Sequence, residues 1–162
     1  MLHSLAQALQ DTDFAQWISQ SSLAFPWFES IHVACLTTVV GAITILDLRL
    51  LNLAWRSRSV RDVSADVLPL TWGAFVLAAI AGALLFSSKA VEYVDNLAFR
   101  LKMLLLALAG INMLIFQFTT YRSVADWDRG ATPVAARISA LLSLLFWAAV
   151  IISGRWIGFT VH

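Results

Sequence analysis

The chain has 162 residues, 60% of them hydrophobic and only 13% charged, and its mean hydropathy is +0.79. A soluble domain carries about 25% charged and 45–50% apolar residues, so this composition leaves too little polar surface for water and points to the membrane class. The net charge of +1 and the lack of any basic run exclude a nucleic-acid partner, and a single cysteine, Cys35, excludes an intrachain disulfide.

Residues 1–24 precede the first apolar window. Leu2, Leu5, Leu9, Phe14, Trp17 and Ile18 recur there at roughly helical spacing among polar positions. The pattern predicts an amphipathic helix lying at the membrane interface, with Trp17 as an anchor. The first twenty residues hold no Lys or Arg, and "DTDFAQWISQ" interrupts any apolar core, so a secretory signal peptide is not expected.

Residues 25–162 are predicted to form an all-α, integral membrane four-helix bundle. Crossing a hydrocarbon layer of about 30 Å takes roughly 17–25 helical residues, and irregular backbone is excluded from lipid. The first helix is expected over about 27–55, opened by Pro26 in its first turn and longer than a bilayer requires. "RSRSVRDVSADVLP" reads as a loop, with Pro69 restarting the chain as a second helix over about 69–88. A short loop with Lys89, Glu92 and Asp95 leads to a third helix over about 98–121. "YRSVADWDRGATPVAAR" then connects to a fourth over about 134–157. Small residues, chiefly Ala78, Ala79, Ala81, Gly82 and Ala83, mark the second helix for close packing, and Gly110 the third. Arg56, Arg58, Arg61, Arg122, Arg129 and Arg137 outnumber Lys89, Arg100, Lys102 and Arg155 on the opposite side. That bias predicts cytoplasmic first and third loops and both termini outside.

An ionisable group near the bilayer centre costs about 2.5–3.5 kcal/mol on insertion scales and by default faces the bundle interior or a cavity. Glu29, His32 and Cys35 follow each other at three-residue spacing, so they lie roughly along one stripe of the first helix. The antiparallel third helix brings Arg100, Lys102 and Met103 to the same depth, and His3 and His162 fall on that side too. Several readings share these residues. Glu29 pairs with Lys102 or Arg100 while His32 bonds a neighbouring helix; or His32 is an axial ligand of haem b, with Met103 or another histidine opposite. Alternatively His32, Cys35 and Met103 hold copper, or Glu29 and His32 pass protons. Glu-x-x-His occurs once, which is too little for a di-iron centre. At the other end Asp47 and Arg49 are two apart and do not face each other. Arg49 is expected to reach the headgroups. Asp47 needs a donor, with Asn112, Gln117 or an arginine of the third loop as candidates, and Asn112 is expected to bridge helices. Trp72 and Trp147 read as packing or interface residues.

"SLAFPWFESIHV", "VGAITILDLRLL", "FRLKMLLLALAGINMLIF" and "LLSLLFWAAVIISGRWI" together resemble, in order and spacing, a family of small bacterial four-helix membrane proteins that carries a domain-of-unknown-function label. The resemblance runs from about Ser22 to Ile157 and marks Pro26, Glu29, His32, Gly41, Asp47, Arg49, Phe99, Lys102, Asn112, Trp147 and Arg155. It implies the four-helix fold and a bacterial inner-membrane location. The layout is more loosely similar to the copper-resistance membrane component and to the haem-pathway protoporphyrinogen oxidase, which place a His early in one helix and a Lys at the start of a later one. The oxidase-like proteins are longer and have additional helices.

The leading functional expectation is a haem- or quinone-associated redox membrane protein with His32 as the ligand. The alternatives are a copper-handling or small-solute transport protein, and a cofactor-free structural subunit of a larger complex. In each case a homo-oligomer or a larger assembly within the bilayer is expected. No second histidine lies inside a predicted span, so bis-histidine ligation would recruit His3, His162 or another subunit.

Overall fold

The four apolar windows become four long helices, and the polar stretches between them become caps and short turns. A computed structural model describes residues 1–128 and 130–160, which are helical with no strand. In chain order the helices are α1 (Leu2–Gln10), α2 (Asp13–Gln20), α3 (Ala24–Leu50), α4 (Val60–Ser88), α5 (Ala90–Asp95), α6 (Leu97–Phe118), α7 (Val124–Trp127) and α8 (Val134–Thr160). α3, α4, α6 and α8 are long and apolar enough to cross a membrane.

Two helix boundaries differ from the sequence reading for identifiable reasons. α4 begins at Val60, not at Pro69. Ser59 caps it by accepting the Asp62 N–H at 3.0 Å, and Asp62 adds a negative charge to the first turn. Pro69 therefore sits inside the helix and leaves the Ala65 carbonyl without its usual donor. Ala65 and Pro69 line the same open groove, where that carbonyl can be solvated. α3 stops at Leu50, short of Trp55, because Asn52 and Trp55 adopt positive φ angles of 57° and 50°. A left-handed residue cannot continue a right-handed helix.

The expected single interfacial helix is two short ones, broken at Asp11 and Thr12, with Thr12 accepting the Ala15 N–H at 3.3 Å. Ala6, Ala15 and Ile18 bury against the bundle, whereas Leu5, Leu9, Phe14 and Trp17 face outward.

α3 packs extensively on α4, and α6 on α8, and a contact between α3 and α8 joins the two pairs. One core layer gathers Leu46, Leu50, Val63, Phe116 and Ala136; a second gathers Val39, Ala74, Ala109, Trp147 and Val150. Outside these layers Leu77, Ile80, Leu104, Ile111, Leu114 and Ile152 are exposed. That is the surface a spanning bundle presents to acyl chains, since lipid gives no drive to bury it.

Side-chain bonds fix what lies at each end. Gln10 Oε1 accepts the Val91 N–H at 3.0 Å, and Asn96 Nδ2 donates to Thr160 Oγ1 at 2.8 Å. α1, α5 and the close of α8 therefore share one end, here the His32 end. At the other, the Arg49 end, the Arg61 N–H donates to Asp128 Oδ1 at 3.1 Å, tying the α3–α4 turn to the α6–α8 connection.

Candidate functional site

His32 lies near the start of α3, on the side that faces α4. Its Nδ1 is 2.7 Å from the Ala78 carbonyl oxygen. A carbonyl can only accept, so Nδ1 carries a proton, and in the neutral ring Nε2 keeps its lone pair. No side chain among the described residues bonds Nε2. The ring lies against α4 because residue 82 has no side chain: a Cβ there would fall 2.8 Å from His32 Cε1 and 3.1 Å from Nδ1. Ala78 supplies the acceptor, and Gly82, one turn on, supplies the space.

Lys102 enters from α6. Its stem crosses Gly154 of α8, where a Cβ would lie 3.4 Å from Nζ and 3.7 Å from Cε. Gly82 is thus a notch that His32 fills, whereas Lys102 lies over Gly154 at ordinary van der Waals range. Lys102 and Glu29 are the two charged groups whose fields act on His32. Glu29 is exposed and, with Glu92, also acts on Tyr93 in the linking helix α5. Burial first, then those two carboxylates, push the Tyr93 phenol above its ordinary pKa. Tyr93 stacks with Phe86 and Phe99 at centroid distances of 6.1 and 5.3 Å, and Phe86 with Phe99 at 5.4 Å. The three rings pack together where α4, α5 and α6 meet.

The remaining candidates of this end do not converge on His32. Met103 is half-exposed on the outer face of α6, pointing away as Lys102 turns in. Cys35 is half-buried further along α3, and Arg100 is exposed. His3 is paired with Asp95 at 3.2 Å on the surface, both side chains largely exposed. His162 and Arg129 lie outside the described residues. Glu29 makes no ion pair with Lys102 or Arg100; the ion pairs among the described residues are His3–Asp95, Arg58–Asp66 and Lys89–Glu92. Arg155 turns outward over the Phe159 ring at 4.6 Å.

The Arg49 end is built differently. Arg49 does not reach the headgroups: it is only 4% exposed. Its Nε donates to the Arg58 carbonyl at 2.6 Å, and its two terminal nitrogens to Asn52 Oδ1 at 3.0 Å and to the Asp128 carbonyl at 3.5 Å. Those acceptors hold the guanidinium inside. Asp47 lies near Ser143 of α8, which the sequence did not single out, and its Oδ2 has no hydrogen-bond partner among the described residues. Asn112 bridges helices as expected, donating to the Ser139 carbonyl at 3.0 Å and accepting from the Ser139 hydroxyl at 3.2 Å. Trp147 is core, and Trp72 faces outward against the edge of Phe75.

Four membrane-length apolar helices, a fastened end and a polar cluster at the opposite end define a multi-pass integral membrane protein. Residues 10–160 match the family described as "Family of unknown function (DUF6644)", and the chain belongs to that family. No curated protein and no solved structure matches it.

Proposed function

We propose that this protein is a redox component of the bacterial inner membrane that binds haem b, or failing that a quinone, through His32. The observation that carries the reading is the Nδ1–H bond to the Ala78 carbonyl. It fixes the tautomer and leaves Nε2 as the free donor, the arrangement in which an imidazole ligates a metal or meets a quinone oxygen. His32 would ligate a haem iron, and the Phe86, Tyr93 and Phe99 rings would offer it an apolar surface. Met103 faces outward, so His32 alone of the candidates on this chain would hold the group, and any second ligand would come from a second copy or a partner subunit. Bound haem would supply one-electron chemistry; His32 would hold it, and Ala78 and Gly82 would orient His32.

Arginine placement supports an orientation. Arg56, Arg58, Arg61, Arg122 and Arg137 cluster at the Arg49 end, which makes that end cytoplasmic and the His32 end periplasmic. Copper handling draws less support: no three His, Cys, Asp or Glu side chains gather among the described residues.

The test is an absorbance spectrum of the full chain purified in detergent from cells supplied with haem precursor. A Soret band is expected, absent from His32→Ala and restored to it by added imidazole. A folded wild-type preparation that shows no band and releases no quinone on solvent extraction overturns the reading.

A further inference from the structure

We infer that Lys102 is an anion-anchoring residue, and that the ligand of the His32 end carries a carboxylate on an otherwise apolar body. The inference rests on that end being a ligand site, as proposed above, but not on the ligand being haem.

Three observations carry it. First, Lys102 is half-buried between α6 and α8 and has neither an ion-pair nor a hydrogen-bond partner among the described residues. Glu29, the other charge that acts on His32, is exposed and forms no ion pair with Lys102. A cation withdrawn from water without a counter-charge is unfavourable and marks a functional position inside a membrane protein. Second, Lys102 and Arg100 occupy the first two turns of α6, whose first turn holds no acidic residue. The helix dipole disfavours cations there and favours an incoming anion. Third, the amine is directed rather than splayed. Its stem lies over Gly154 of α8, where a Cβ would stand 3.4 Å from Nζ, 3.7 Å from Cε and 3.8 Å from Cδ, and its charge acts on the His32 ring. An ammonium, a ring nitrogen with a free lone pair and three flat rings match an amphiphile with a carboxylate at one edge. A porphyrin propionate and a fatty acid share that chemistry.

Paired acids and esters distinguish these sources. Purified protein in dodecyl maltoside is titrated with hemin and with hemin dimethyl ester, followed by absorbance. It is then titrated with dodecanoate and with methyl dodecanoate, followed by thermal shift. Wild-type protein should prefer the acid over its ester by about ten- to a hundredfold, the worth of one charge-assisted bond. Lys102→Met and Lys102→Gln should lose the preference, and Lys102→Arg should keep most of it. A preference in the hemin pair supports both this inference and the haem reading. A preference confined to the fatty-acid pair supports the anion site while the haem reading falls. Equal binding of acid and ester by wild-type protein overturns the inference even if both neutral variants fail to fold. So does a preference that survives in Lys102→Met.

Discussion

Replacing Gly82 with alanine isolates the contact on which the His32 geometry depends. The added Cβ would stand 2.8 Å from His32 Cε1, closer than such atoms approach in folded proteins. Either the ring swings away and loses its bond to the Ala78 carbonyl, or α3 and α4 move apart. The first route costs a net hydrogen bond of about 0.5–1.5 kcal/mol, and overpacking of this kind typically costs about 1–3 kcal/mol. Alanine also gains about 1 kcal/mol in helix propensity over glycine, which would mask part of the loss. Gly73→Ala on the same helix supplies the control, because a Cβ there meets nothing within 4 Å. The two variants share the propensity gain, so their difference is the clash alone. At about 2–4 °C per kcal/mol for a chain of this size, Gly82→Ala should melt about 2–12 °C below Gly73→Ala in detergent. Nitrogen-15 spectra of labelled histidine should lose the protonated, hydrogen-bonded Nδ1 signal only in Gly82→Ala. Equal melting temperatures with that signal intact would show that the ring is not wedged against α4, and the assignment of Nε2 as the free donor would lose its basis.

Two further outcomes test other parts of the molecule. Arg49→Met strands the Arg58 and Asp128 carbonyls and the Asn52 side chain, and should destabilise the protein by about 3–5 kcal/mol, the usual cost of breaking a buried charged network. Thermal melts and proteolysis within the turn 51–59 would report it, and a wild-type melt would show that the network is dispensable. Tyr93 gives a pH dependence whose sign is fixed. Burial, Glu29 and Glu92 raise its folded pKa above the unfolded value, so the unfolded chain loses the proton first and binds fewer protons as the pH rises. The stability this contributes is complete below the ordinary tyrosine value of about 10 and disappears as the pH climbs through the folded value. The alkaline limb of the melting curve should therefore be shallower in Tyr93→Phe, and superimposable limbs would contradict the shift.

Spans were legible in the sequence because lipid imposes a coarse rule, long charge-free windows, that any helix crossing it must obey. Boundaries were less legible because they depend on particular caps. Pro69 reads as a helix start, yet Ser59 and Asp62 form a better one, and the groove beside Ala65 lets its carbonyl meet solvent. His32, Glu29 and Lys102 stand out as ionisable groups in apolar surroundings, and the fold keeps them at one depth. What fixes His32 has no side-chain signature. Its partner is the backbone carbonyl of an alanine, and Gly82 acts through the atoms it lacks. The small-residue run of α4 announced close packing without saying which side chain would exploit it.

The two ends of the bundle differ in whether their polar atoms are committed, and this contrast separates fastening from function. At the Arg49 end every nitrogen of the guanidinium that carries a partner is directed at chain segments that must be joined. The unpartnered atoms found there, Asp47 Oδ2 and Ser64 Oγ, belong to side chains sealed from the surface. They cannot meet a ligand without the bundle opening. At the His32 end the unpartnered groups, the imidazole Nε2 and the Lys102 ammonium, belong to half-buried side chains that something from the membrane surface can reach. The imidazole is held in the Gly82 notch instead of being free to swing toward water. A structural pair would satisfy its members with each other, as Asn112 and Ser139 do. Here a donor and an acceptor share a depth and remain unjoined. On the proposed reading each would meet a third body, and the chemistry of that body would follow from the two: a carboxylate for the cation, and an electron-poor centre or a proton for the lone pair.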